Sequence, residues 1–167
     1  HMLNRQKEAR VARGSSGGKI GRIILIKHLL SVAAFVIITF VIQGASHMII
    51  NTTHYAAIGF MRPEPNFALG FLTMIIQGSI MTAWLHLLTP REATIRLGLI
   101  VSLGFGLFLA SYIVLASPAK YQVPSISAWI MIEGFASLLQ FTLFGIVLGL
   151  VHSHIRSVEP QQIEMTD

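Results

Sequence analysis

Residues 29–44 read LLSVAAFVIITFVIQG, and residues 45–55 continue as ASHMIINTTHY. With the residues just ahead of it, the first stretch gives an apolar run from Ile23 to Gln43. About 20 apolar residues in a helix cross a hydrocarbon core of about 30 Å, so this run reads as a membrane span. The second stretch has two histidines, an asparagine and two threonines but no Lys, Arg, Asp or Glu, which is unlike an ordinary loop. The functional question concentrates there.

Three further runs have the same character: Phe67 to Leu88, Leu97 to Ala116, and Ala128 to Val151. Between them lie RPEPN (62–66), TPREATIR (89–96) and SPAKYQVPS (117–125), with prolines where helices stop or start. The alternation of a transmembrane β-barrel is missing, so the spans are helical. The chain is expected to be an all-α, four-transmembrane-helix bundle. No proline interrupts it from Ile23 to Pro63, so span one is expected to continue as a helical or interfacial extension. Composition agrees: 53% of residues are hydrophobic and 11% charged, against about a quarter charged in soluble chains.

Lys and Arg mark the cytoplasmic side. Arg5, Lys7, Arg10, Arg13, Lys19, Arg22, Lys27, Arg91, Arg96 and Arg156 fall on one side, and only Arg62 and Lys120 on the other. Both termini are therefore expected in the cytoplasm, with span one a retained signal-anchor. Residues 1–22, with GSSGG at 14–18, read as a flexible basic arm. His1-Met2 reads as a cloning scar. Residues 23–152 form the membrane domain, and 153–167 a short polar tail. An anionic leaflet attracts each juxtamembrane cation by about 1 kcal/mol, so membrane lipids are the expected partner of the arm and no nucleic acid is invoked.

Lipid gives helices no hydrophobic reason to associate, so small residues and polar contacts must hold them. Gly98, Ser102, Gly106 and Ala110 recur every four residues, and Gly145 and Gly149 form a GxxxG. The first set predicts close packing, either within the bundle or as the face of a homo-oligomer. Glu133, Ser137 and Gln140 share one face of span four, and Thr73 and Gln77 share one of span two. Gln77 and Gln140 should lie at comparable depth and bond to each other. His86, nine residues past Gln77, lies half a turn away. Glu133 is the one acidic residue inside a span. It is either paired with Arg62, Lys120 or a histidine, or it binds a ligand or handles a proton. Trp129, one turn before it, reads as an interfacial anchor.

The absence of cysteine excludes disulfides, thiolate metal sites and thiol catalysis. His28, His86 and His152 lie toward the cytoplasmic ends of their spans, where two could serve as axial haem ligands. His47 and His54 would stand about 10.5 Å apart along a straight helix, so sharing a metal with bonds of about 2 Å would require the chain to bend between them. One of them with Glu133 makes an easier metal set. No H-E-x-x-H, G-x-S-x-G or P-loop is present, so nothing supports an enzyme, and no cofactor is assigned.

His47 and Tyr55 beyond span one, MRPEPN (61–66), the glycine-rich third span and WIMIEG (129–134) together resemble small uncharacterised four-span bacterial inner-membrane proteins. That likeness implies a bacterial inner membrane and a non-enzymatic role, and it brings no catalytic residues. The expected function is a binding or accessory protein. Its pocket, open to the periplasm, would be lined by Gln43, His47, Asn51, His54, Tyr55, Arg62 and Glu133, with Gln77 and Gln140 deeper. The alternatives are a homo-oligomeric channel or transporter protomer, and a haem- or metal-binding oxidoreductase subunit.

Overall fold

The fold is seen in a computed structural model that describes residues 2–62, 64–89 and 93–155, with side chains from Ile20 onward. Arg91, Arg156, the remainder of the polar tail and most side chains of the basic arm lie outside the described residues.

Every described regular element is helical. The chain runs α1 (Met2–Ala45), a π-helical segment (Ser46–Ile50), α2 (Thr52–Ala56), α3 (Phe67–Leu88), α4 (Ile95–Ala110), a second π-helical segment (Ser111–Ala116), α5 (Ser117–Lys120) and α6 (Ile126–His154). The backbone of the segment expected as a flexible arm is helical and continuous with span one. Four stretches are long and apolar enough to cross a membrane: Ile20–Ile50, Phe67–Leu88, Ile95–Lys120 and Ile126–His154. The protein is a multi-pass, four-span helical bundle, and the extension after span one is present as the first π-helical segment and α2.

Local chemistry explains where the helices begin. Asn66, Thr94 and Ser125 each accept a hydrogen bond from a backbone N–H three residues on, at 3.1, 3.3 and 3.3 Å. These caps satisfy donors that a helix start leaves open, and Pro65 and Pro124 stand just ahead of two of them.

In the bundle, α1 packs between α3 and α6, α6 also packs along α4, and α3 meets α4 only sparsely. The α4–α6 seam is the closest. A Cβ on Gly98 would run into the carbonyl oxygen of Gly145 and lie 2.6 Å from the Gly149 nitrogen, and one on Gly106 would meet the Phe141 ring at 2.5 Å. The Ser102 hydroxyl donates to the Phe141 carbonyl at 2.6 Å. Gly98, Ser102 and Gly106 are thus spent on α6 inside the chain. The core is apolar at mid-depth, where Phe35 meets Phe144 edge-on at 4.8 Å between centroids and packs over Gly78. Met74, Met81, Leu85, Val101, Phe141 and Leu148 surround them. Large side chains such as Ile37, Leu107, Phe108, Phe135 and Leu138 are exposed, as a lipid-facing surface requires.

Candidate functional site

Beyond the Phe35 layer, toward the loop that joins α1 and α3, the interior becomes polar. Gln140 of α6 accepts from the Gln43 amide at 2.8 Å and donates to Thr39 Oγ1 at 2.9 Å, tying α6 to α1 through two side chains one turn apart. Gln140 therefore bonds to α1 and not, as expected, to Gln77. The reason is packing: α3 lies against α1, while α1 alone lies between α3 and α6. Gln77 has no hydrogen-bond partner among the described residues and is half-buried.

One turn of α6 before Ser137, Glu133 is buried at 5% exposure. Its Oε1 accepts from the Tyr55 hydroxyl at 2.6 Å and lies 4.0 Å from His47 Nε2. His47 Nδ1 is 2.9 Å from the Gln43 carbonyl oxygen. That oxygen can only accept, so the proton sits on Nδ1 and Nε2 is left facing Glu133. The His47 and Tyr55 rings stack at 3.8 Å between centroids, 17° from parallel. Burial, with Glu133 beside it, pushes the Tyr55 phenol above its ordinary range.

The π-helical turn makes this possible. Asn51 N bonds to Ser46 O at 2.9 Å, five residues back, and the chain then turns into α2. Such wide turns recur at functional sites. The turn folds Tyr55 back beneath His47, where a straight helix would carry it away. His47 and His54 consequently flank one phenol ring, with His54 edge-on to it at 5.2 Å. Asn51 is spent on Ser46 Oγ at 3.1 Å. Trp129 is a correction: it is not an interfacial anchor but is 4% exposed, packs with Tyr55 and Ile58, and donates its indole N–H to the Ile113 carbonyl at 3.0 Å. That carbonyl belongs to the second π-helical segment, so both wide turns border this region.

A cavity of about 660 Å³ opens beside the cluster, lined by polar Thr39, Gln43, His47, Thr73, Gln77, Glu133, Ser137 and Gln140 within a larger apolar wall that includes Phe40, Met74, Leu109 and Phe141. The expected residues His47, Gln77, Glu133 and Gln140 meet there, and Gln43 with them. Tyr55, His54 and Asn51 stand behind the wall and do not line it. Arg62 is exposed and outside the cavity; the chain between α2 and α3 carries it outward. Thr39, Thr73, Ser117 and Ser137 are further polar lining residues. Ser137 was legible from its i+4 spacing to Glu133. Thr39 sits one turn before Gln43, but an isolated threonine in a span gives no signal.

At the opposite end, His28 of α1 meets His86 of α3 and His152 of α6 edge-on, at 5.7 and 6.3 Å between centroids. Lys27 Nζ donates to the His152 carbonyl at 3.3 Å, as a cation near a helix C-terminus does. The His86 and His152 rings meet His28 at interplanar angles of 75° and 64°. Among the described residues no three His, Asp or Glu side chains are grouped so as to hold a metal ion. His47 and Glu133 approach each other as a pair only, and Tyr55 already occupies the nearer carboxylate oxygen.

Comparison with family models, with curated proteins and with solved structures finds no match to this chain.

Proposed function

We propose that the protein is a non-enzymatic binding or accessory protein of a bacterial inner membrane, with both termini cytoplasmic and its ligand site open toward the periplasm. The observation that carries this reading is the cavity beside Glu133. Its volume falls within the range of small-molecule sites, and it has their usual composition of apolar wall with a few convergent polar groups. The excess of Lys and Arg on one side of the spans supports the orientation. A channel assembled through the Gly98 face would first have to release that face from α6.

Gly70 provides the test. It lines the cavity, and a Cβ there has nothing within 4 Å, so Gly70→Leu fills the space without disturbing the fold. Protein purified gently from its native membrane should carry a small molecule by native mass spectrometry, and Gly70→Leu should lose it. An equally occupied Gly70→Leu, or a wild type bare under all conditions, would refute the reading.

A further inference from the structure

Resting on the outer cavity being a ligand site, we infer that its occupant is a bilayer-borne amphiphile with a primary amine headgroup, admitted sideways between α3 and the second π-helical segment.

The route follows from packing. α3 leans on α1 and barely touches α4, and the cavity lies in the gap this leaves. Gly70 and Thr73 on one side of the gap and Ile113 on the other are exposed while lining the cavity. At these positions in a span the surroundings are lipid. A molecule already in the bilayer reaches the cavity without crossing the headgroup layer, with its chain against Phe40, Met74 and Leu109.

The head chemistry follows from which polar atoms are already used. Gln140 bonds to both Gln43 and Thr39, Gln43 has used one of its two N–H groups on Gln140, and Thr73 bonds back to Leu69 O. Four groups facing the cavity remain without a protein partner among the described residues: Glu133 Oε2, Gln43 Oε1, the Gln77 amide and the Ser137 hydroxyl. His47 Nε2 lies 4.0 Å from Glu133 Oε1 at the edge of this set. One of the four groups is a carboxylate oxygen. No Lys or Arg lines the cavity. A buried carboxylate wants a compensating positive charge, and acceptors want donors. A primary ammonium supplies the charge and three N–H groups. An alcohol lacks the charge, and a quaternary ammonium lacks the donors.

The experiment uses full-length protein in nanodiscs of zwitterionic lipid, with Trp84→Phe so that Trp129 alone reports by fluorescence. Dodecylammonium, dodecanol, dodecyltrimethylammonium and dodecanoate are titrated in turn. A hydrogen bond to a charged group contributes about 1.5–3 kcal/mol, so dodecylammonium should bind at least about tenfold tighter than the other three. Glu133→Gln should erase that preference. Gln77→Leu, which removes no hydrogen bond seen among the described residues, should weaken dodecylammonium about threefold or more, as loss of one ordinary hydrogen bond does. Equal binding of all four probes, or a preference unchanged in both variants, overturns the amine inference and leaves the cavity a ligand site. Binding of no probe, with Gly70→Leu indistinguishable from wild type, removes the site itself.

Discussion

The Tyr55 hydroxyl donates to Glu133 Oε1 at 2.6 Å across a sequence separation of 78 residues, and both side chains are buried. This bond fastens the short helix after span one onto span four. It also fixes one oxygen of the only acidic side chain within the four spans, a residue that lines the cavity.

Tyr55→Phe keeps the ring stacked on His47 but removes the donor. A buried acceptor then loses its partner, which costs about 1–3 kcal/mol. We predict a lowered melting temperature in detergent. Glu133→Gln in the Tyr55→Phe background should recover part of the loss, because an amide tolerates the unpaired position better than a carboxylate. Additive losses in the double variant would count against direct coupling.

The same contact sets an alkaline limit. The Tyr55 phenol is raised above its ordinary value by burial first and by Glu133 second. A group whose folded pKa is raised contributes stability in full below its unfolded pKa, here about 10 for tyrosine. That contribution falls away as pH climbs from there toward the folded value. Wild type should therefore lose stability above about pH 10 more steeply than Tyr55→Phe, as read from unfolding midpoints across an alkaline series.

The spans and their number were legible because length and apolar composition alone decide whether a helix crosses a bilayer. The shared face of Glu133, Ser137 and Gln140 was legible because helical spacing is local. Partner choice was not. Gln140 pairs with Gln43 and Thr39, not Gln77, because depth along a span says nothing about which helices are neighbours. Tyr55 reaches Glu133 through a π-helical turn that no residue pattern in SHMII announces. Trp129 has the composition of an interfacial anchor, and only its neighbours Tyr55 and Ile58 show that it is core.

Glycines in α4 should separate sharply. Gly98→Ala places a methyl 2.6 Å from the Gly149 nitrogen, against backbone that cannot swing aside. α4 and α6 must part, and overpacking of this kind costs about 1–3 kcal/mol. Gly104→Ala, with nothing within 4 Å of its Cβ, should leave stability unchanged or slightly improved. Reversible unfolding in mixed micelles distinguishes them, and equal effects would contradict the seam.

The two glutamines nearest the cavity should divide stability from binding. Gln140→Leu strands Gln43 and Thr39, and interhelical hydrogen bonds in membranes contribute about 0.6 kcal/mol on average and about 1.7 at most. A loss of about 1 kcal/mol is expected for this two-bond bridge. Gln77→Leu breaks no contact and should unfold like wild type. A destabilised Gln77→Leu would mean that α3 is anchored through a bond the structure does not show.

Two buried hydroxyls, those of Ser31 and Thr82, lie outside the cavity lining. His28 meets His86 at one end of the α1–α3 interface, and Phe35 meets Gly78 further along. Antiparallel register places Ser31 and Thr82 level with each other between these contacts. Both are 0% exposed, and neither hydroxyl has a hydrogen-bond partner. An unpaired buried hydroxyl costs about 1–3 kcal/mol, and Val has nearly the shape of Thr without that liability. Thr82→Val should therefore stabilise the protein by about 1 kcal/mol, measured as a raised unfolding midpoint with unchanged cooperativity. Ser31→Ala should show a smaller gain, since it removes the hydroxyl and leaves a little space behind. If Thr82→Val instead lowers the midpoint, the Thr82 hydroxyl is satisfied in the membrane, and Ser31→Ala should then fall by a similar amount because the two would share the same bridge.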